Sequence, residues 1–115
     1  MKDALKDLVF LGYVEEEVEL YGKEWKLKTL NSEEQLEASN ATGNYDTVSR
    51  LLALKMEILG RSLQEVDRIK IDDVEEGLEF VKSLQQPLIQ DLYEEYENIQ
   101  EKQDDSLNDV DEIKN

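Results

Sequence analysis

The stretch Asp46-Thr47-Val48-Ser49-Arg50-Leu51-Leu52-Ala53-Leu54-Lys55-Met56-Glu57-Ile58-Leu59-Gly60-Arg61-Ser62-Leu63 is the most apolar run in the chain. At about 100° per residue, Val48, Leu51, Leu52, Leu54, Met56, Ile58, Leu59 and Leu63 cover roughly 200° of a helical surface. A surface helix needs only about half of that arc. The run therefore predicts a central helix covered by neighbours on more than one side. Asp46 or Asn44 supplies its N-cap, and Gly60 falls in its last turns, where glycine weakens a helix. Lys55 interrupts the apolar arc, and its stem is expected to lie along the core while the ammonium reaches water or a carboxylate.

Upstream, Glu15 to Thr29 alternates like a hairpin. With Gly22-Lys23 as a two-residue type II′ turn, glycine takes the positive φ. The facing pairs are then Tyr21 with Glu24, Leu20 with Trp25, Glu19 with Lys26, Val18 with Leu27 and Glu17 with Lys28. One face is apolar and the other pairs two Glu with two Lys. A lone hairpin is marginal in water, so Val18, Leu20, Trp25 and Leu27 must sit on helices, with Trp25 as a core anchor. Between hairpin and central helix, Ser32 three residues before Gln35 fits a capping box for a short helix that stops at Thr42-Gly43-Asn44. At the start of the chain, Leu5, Leu8 and Val9 share one face of a short amphipathic helix ended by Gly12.

Downstream, Ile69 and Ile71 alternate like a strand too brief to assign from sequence. Asp72-Asp73 then caps a long helical region in which Val74, Leu78, Val81, Leu84, Leu88, Leu92 and Ile99 keep one face. Pro87 denies an amide hydrogen in its middle, which requires a kink or a break. From Asp104 on the chain is polar and acidic. The expected architecture is α+β and predominantly helical: an N-terminal β-hairpin packed on a small helical bundle. A single domain spans residues 1–103, followed by a flexible acidic C-terminal tail over 104–115.

Composition narrows the chemistry. The 115 residues contain neither Cys nor His, which removes disulfides, thiolate metal sites, and the commonest general base and transition-metal ligand. No apolar run approaches the ~18 residues of a membrane span, and the charged start Met1-Lys2-Asp3 does not fit a signal peptide, so neither membrane nor export is expected. Net charge is −16. Residues 1–62 carry 12 acids and 8 bases, and residues 63–115 carry 17 and 5. That balance argues against direct nucleic-acid binding, which needs Lys and Arg to displace counterions from phosphate. It favours solubility, basic partners or imitation of a polyanion.

Carboxylates are the plentiful chemical group, yet Asp104-Asp105-Ser106-Leu107-Asn108-Asp109 lacks the EF-hand spacing. No phosphate-binding glycine loop and no Ser or Thr with a credible base is present. No catalytic, cofactor-binding or metal-binding residue is expected, and the chain does not read as an enzyme. The more suggestive segment is Leu88 to Ile99. Leu92, Tyr96 and Ile99 can face inward, with Ile89 and Tyr93 standing beside them. Leu88, Ile89, Leu92, Tyr93, Tyr96 and Ile99 are the candidate partner-binding residues, and such a surface requires Ile89 and Tyr93 to be exposed together.

The blocks Tyr21-Gly22-Lys23-Glu24-Trp25-Lys26-Leu27-Lys28-Thr29-Leu30-Asn31-Ser32-Glu33-Glu34, Leu54 to Leu63 and Phe80 to Tyr96 resemble the small tail assembly proteins of tailed bacteriophages. In that family a hairpin of the form Gly-Lys-x-aromatic-x-Leu runs into a capped helix. The likeness covers roughly residues 15–100 and rests on patterns of size and polarity. The family includes chaperones that hold the tape-measure protein during tail building, and small baseplate or hub proteins. The resemblance implies a non-enzymatic tail or baseplate assembly factor. Its partner would be a tail protein (tape measure, hub or baseplate component), met in the host cytoplasm or in the virion, with an oligomer left open. No family residue with a chemical role carries over. The rival expectation, from charge alone, is an acidic DNA mimic that inhibits a host nucleic-acid-binding enzyme through Asp91, Glu94, Glu95 and Glu97.

Overall fold

Strand β1 (Glu15–Leu20) and strand β2 (Lys23–Lys28) form the expected antiparallel hairpin, but its turn sits one residue earlier than the sequence suggests. This is seen in a computed structural model of the chain that describes residues 13–114, with side chains as far as Asp105. The helix expected over Met1 to Leu11 lies outside the described residues. The turn residues are Tyr21 (φ 53°) and Gly22 (φ 76°), both left-handed as a type I′ turn requires. That turn's twist matches the twist of the strands it joins. The non-glycine residue is anchored, since the Tyr21 hydroxyl donates to Asp91 Oδ2 at 2.5 Å.

Leu20 accordingly faces Lys23, Glu19 faces Glu24, Val18 faces Trp25 and Glu17 faces Lys26. These pairs replace the expected Leu20–Trp25, Glu19–Lys26 and Val18–Leu27. The pairing slips by two residues, so every side chain keeps its face. Val18, Leu20, Trp25 and Leu27 remain together on the inner side. The outer face now includes a like-charge pair, Glu19 opposite Glu24.

The hairpin grows into a four-stranded antiparallel sheet of order β1-β2-β3-β4 through β3 (Leu63–Val66) and β4 (Ile69–Lys70). The Ile69–Ile71 alternation is thus partly a strand. Asp67 (φ 49°) and Arg68 (φ 69°) form a second left-handed two-residue turn. Asp67 donates its amide to the Glu24 carbonyl at 2.7 Å, and its carboxylate accepts from the Glu24 amide at 2.8 Å. Those two bonds hold the second tip beside the first and offset the cost of left-handed backbone at non-glycine residues.

Among the described residues there are four helices: α1 (Ser32–Asn40), α2 (Thr47–Ser62), α3 (Val74–Lys82) and α4 (Gln86–Lys114). The capping box of α1 is Asn31–Glu34, one residue ahead of the expected Ser32–Gln35. Asn31 Oδ1 accepts from the Glu34 amide at 2.8 Å, and Glu34 Oε1 accepts from the Asn31 amide at 3.0 Å. Glu34 also pairs with Lys28 at 2.7 Å, an ionic partner that Gln35 could not take. Asp46 caps α2 and Asp73 caps α3. The chain breaks between α3 and α4. Pro87 is the second residue of α4, where a missing amide hydrogen costs nothing. α4 continues as helix through residues 104–114, so the segment expected as a flexible tail carries helical backbone. Among the described side chains, burial along α4 ends at Gln103.

Trp25, Leu27, Leu59, Val81, Leu92 and Ile99 form the centre of the core, with the inner face of the sheet packed on the helices. α2 is central only in its second half. Val48 is 89% and Leu51 61% exposed, so the expected cover on more than one side does not reach the first turns. α2 has 16 residues against 9 in each of α1 and α3, and α3 crosses it near its C-terminal end, so the first turns overhang.

The crossing is made at two glycines. A Cβ on Gly60 would stand 2.6 Å from Leu78 Cδ2, and one on Gly77 would collide with the Gly60 carbonyl oxygen. Gly60 is therefore a close-approach residue rather than a weak point. Beside it, Arg61 and Glu57 form a nearly buried ion pair at 2.8 Å. Lys55 lays its stem along the core as expected. Its ammonium ends on a neutral amide, Gln90 Oε1 at 2.6 Å, and over the Tyr93 ring at 5.3 Å.

Candidate functional site

The two hairpin tips and the corner between α3 and α4 enclose an open groove of about 730 Å³. Trp25 and Val66 line it from the sheet, Phe80 and Leu88 from the helices α3 and α4, and Leu84 from the link between them. Tyr21, Ile69 and Ile71 complete the lining, with Tyr21 and Ile69 largely exposed. Local sequence places each of these groups. The left-handed turn at Tyr21-Gly22 brings the tyrosine round to the helices. The Asp67-Arg68 turn brings Ile69 back beside Val66 at the edge of the sheet. Along α3, Glu76, Glu79 and Phe80 share one face at helical spacing.

Trp25 is only 1% exposed, and its indole Nε1 donates to the Leu20 carbonyl at 3.0 Å. Its polar atom is thus satisfied, and the ring meets Phe80 at 6.1 Å between centroids, tilted by 43°. Such tilted pairs are a favourable aromatic arrangement. The charged groups of the groove are Lys23, Asp67, Glu76 and Glu79. Lys23 and Asp67 pair at 3.4 Å. The Glu24 amide, aided by Lys23, holds the Asp67 carboxyl below the usual range. The hydrogen bond to Asp91 raises the Tyr21 hydroxyl above its ordinary value, with a further contribution from the Asp91 charge. An apolar floor with a few fixed charges at its edge can take up apolar side chains and orient them. The volume falls in the ~300–1,000 Å³ range of ligand pockets.

Of the six residues expected to bind a partner, Leu88 alone lines this groove. Ile89, Leu92, Tyr96 and Ile99 are core residues, Ile89 only 3% exposed, and Tyr93 is half-buried. The condition that Ile89 and Tyr93 be exposed together is not met. The reason is the choice of stripe: Leu92 and Ile99 can be aligned with Leu88 or with Ile89 and Tyr96. The structure takes Ile89-Leu92-Tyr96-Ile99, spaced three, four and three. Tyr93 stacks on Tyr96 at 5.8 Å and 28°. Both flank a smaller, more polar depression with Gln35, Ile58 and Gln100.

The carboxylates weighed for DNA mimicry are not alike. Asp91 accepts from Tyr21, Glu95 is half-buried, and Glu94 and Glu97 are exposed. Among the described residues no group of three or more acids could hold a metal ion, and no helix is long and apolar enough to cross a membrane.

Sequence reasoning missed Val66, Ile69, Ile71, Phe80 and Leu84 as site residues. The signal was present in part: Ile69 and Ile71 alternate on a short strand, and Phe80 stands off the Val74-Leu78-Val81 stripe. No protein-family model matches the chain, and no curated protein or solved structure matches it.

Proposed function

We propose that this chain is a non-enzymatic bacteriophage tail or baseplate assembly factor that shelters an apolar segment of a tail protein in the groove between the hairpin tips and the α3–α4 corner. The observation that carries this reading is the groove itself: a floor of Trp25, Phe80, Leu84 and Leu88, open to solvent and edged by exposed Ile69. The resemblance of the Tyr21–Glu34 and Phe80–Tyr96 blocks to tail assembly proteins names the class of partner, and both blocks contribute lining residues. Mechanistically, a tail-protein segment that would otherwise self-associate exchanges its apolar contacts for those of the groove. Binding then depletes the aggregation-prone species by mass action. The chain's charge of −16 keeps the complex dispersed. The site of action is the host cytoplasm, and a protein retained in the particle would use the same groove.

The test is co-expression with the tail proteins encoded by the same phage, the tape measure first, with the soluble yield of the partner as the readout. Ile69→Asp places a charge on the groove edge at a position already in water, so folding should survive while the partner precipitates. Val48→Asp, on the overhanging turns of α2, should leave the yield unchanged. Solubilisation that withstands Ile69→Asp but fails when Asp91, Glu94, Glu95 and Glu97 are neutralised would overturn the groove reading in favour of the charged face.

A further inference from the structure

We propose that the occupant of the groove is a basic amphipathic helix: apolar side chains on one face enter the groove, and Lys or Arg beside them meet its carboxylates. The inference rests on the groove being the binding site.

Charge selects the flanking residues. Asp67, Glu76 and Glu79 line the groove against a single ammonium, Lys23. That ammonium is already paired with Asp67. Glu76 and Glu79 stand exposed one turn apart on α3, and neither forms an ion pair among the described residues. Glu76 Oε2 accepts only a long bond from the Asp72 amide at 3.4 Å, so an incoming Lys or Arg would meet both carboxylates without displacing a cation. An incoming Glu would add a third like charge next to a desolvating contact, which costs affinity.

Strand geometry selects the helix. A peptide that adds to a sheet draws its affinity from main-chain hydrogen bonds to a long exposed edge. The edge next to the groove is β4, which is only Ile69–Lys70, too short to supply a ladder. Recognition must therefore come from side chains set into the groove, as in helix-in-groove complexes.

The chain's one tryptophan, Trp25, lines the groove, so its emission reports occupancy at this site. The experiment titrates the full chain with pairs of helical peptides that share an apolar i, i+3, i+4, i+7 face and differ only in carrying Lys or Glu beside it. The Lys peptide should shift Trp25 emission and bind about tenfold or more tightly than its Glu partner at low salt, with the gap closing as salt rises. Glu76→Gln with Glu79→Gln should close the gap without weakening the Glu peptide, and Ile69→Asp should weaken both. Equal binding of the two peptides would overturn the basic-partner inference while leaving the groove as the site. Failure of both to alter either Trp25 emission or amide exchange from Tyr21 to Glu24 and from Asp67 to Lys70 would overturn the groove reading along with it. Persistence of the Lys preference after Glu76 and Glu79 are neutralised would also refute the inference, because other carboxylates would then carry it.

Discussion

Gly60 and Gly77 show how one residue reverses a prediction. Helix propensity alone says that Gly60→Ala should stabilise α2 by about 1 kcal/mol. The crossing with α3 says the opposite, because the new Cβ would stand 2.6 Å from Leu78 Cδ2 and 3.1 Å from Leu78 Cα. We expect a net loss of about 1–2 kcal/mol for Gly60→Ala. Gly77→Ala should lose about 3 kcal/mol, near the top of the range for overpacking, since its obstacle is a backbone carbonyl that cannot rotate aside. Urea midpoints of both variants check the order, and a rise for Gly60→Ala would refute the close crossing. Tyr96 makes a prediction in pH. Burial, aided by Tyr93, Glu34 and Asp104 and opposed by the Leu30 backbone, pushes its hydroxyl up to about 12. A raised folded value means that the unfolded chain releases the proton first. The associated stability is therefore complete below about pH 10 and is lost as pH climbs from 10 to 12. The loss should be on the order of 2–3 kcal/mol, and Tyr96→Phe should flatten that part of the stability profile. An equally steep fall in Tyr96→Phe would assign it to other groups.

The elements test register and extent. Glu19 faces Glu24 across the first hairpin, and like charges directly opposite are destabilising. Glu19→Lys should therefore stabilise the domain by about 0.2–1 kcal/mol. In the alternative register Glu19 would face Lys26, and the same substitution would lower the midpoint. Truncation after Gln103 removes no described side chain that is buried, so deleting residues 104–115 should change stability by less than about 1 kcal/mol. A large drop in the urea midpoint would show that the end of α4 is part of the fold. What the sequence made legible follows the same division. Alternation in β1 and β2 specified which side chains face inward, because a slip of two residues preserves the face; it did not specify the turn, because Tyr21-Gly22 and Gly22-Lys23 both offer a glycine. The caps at Asp46 and Asp73 could be read from local chemistry. The Asn31 cap could not, since Glu34 was chosen over Gln35 by Lys28, three residues before the cap. The groove was illegible for a related reason: Trp25, Val66, Ile69, Phe80 and Leu88 come from five elements and meet only in the packed sheet and helices. On α4 the inward Leu92, Tyr96 and Ile99 were legible, whereas the buried Ile89 was not, because two apolar rows share Leu92 and Ile99 and only the packing partners choose between them.

For the molecule as a whole, a charge of −16 on 115 residues means that folding concentrates like charge. Added monovalent salt should raise the melting temperature by screening that repulsion, most steeply below about 0.1 M, where the Debye length exceeds ~10 Å. A melting temperature that falls with salt would mean that favourable ion pairs such as Lys28–Glu34 outweigh the net repulsion. The glycine crossing acts at this scale too. With backbone against backbone at Gly60 and Gly77, α2 and α3 behave mechanically as one block, and the Glu76, Glu79 and Phe80 part of the groove wall belongs to it. The opposite wall belongs to two hairpin tips joined to each other through Asp67 and Glu24, and to α4 through the single hydroxyl of Tyr21. The two walls therefore differ in compliance, and a bulky occupant gains room by bending the tips rather than by parting the helices. Amide exchange should register that asymmetry: occupancy should alter protection from Tyr21 to Glu24 and from Asp67 to Lys70, while the amides of Gly60 and Gly77 keep the rates they have in the empty protein.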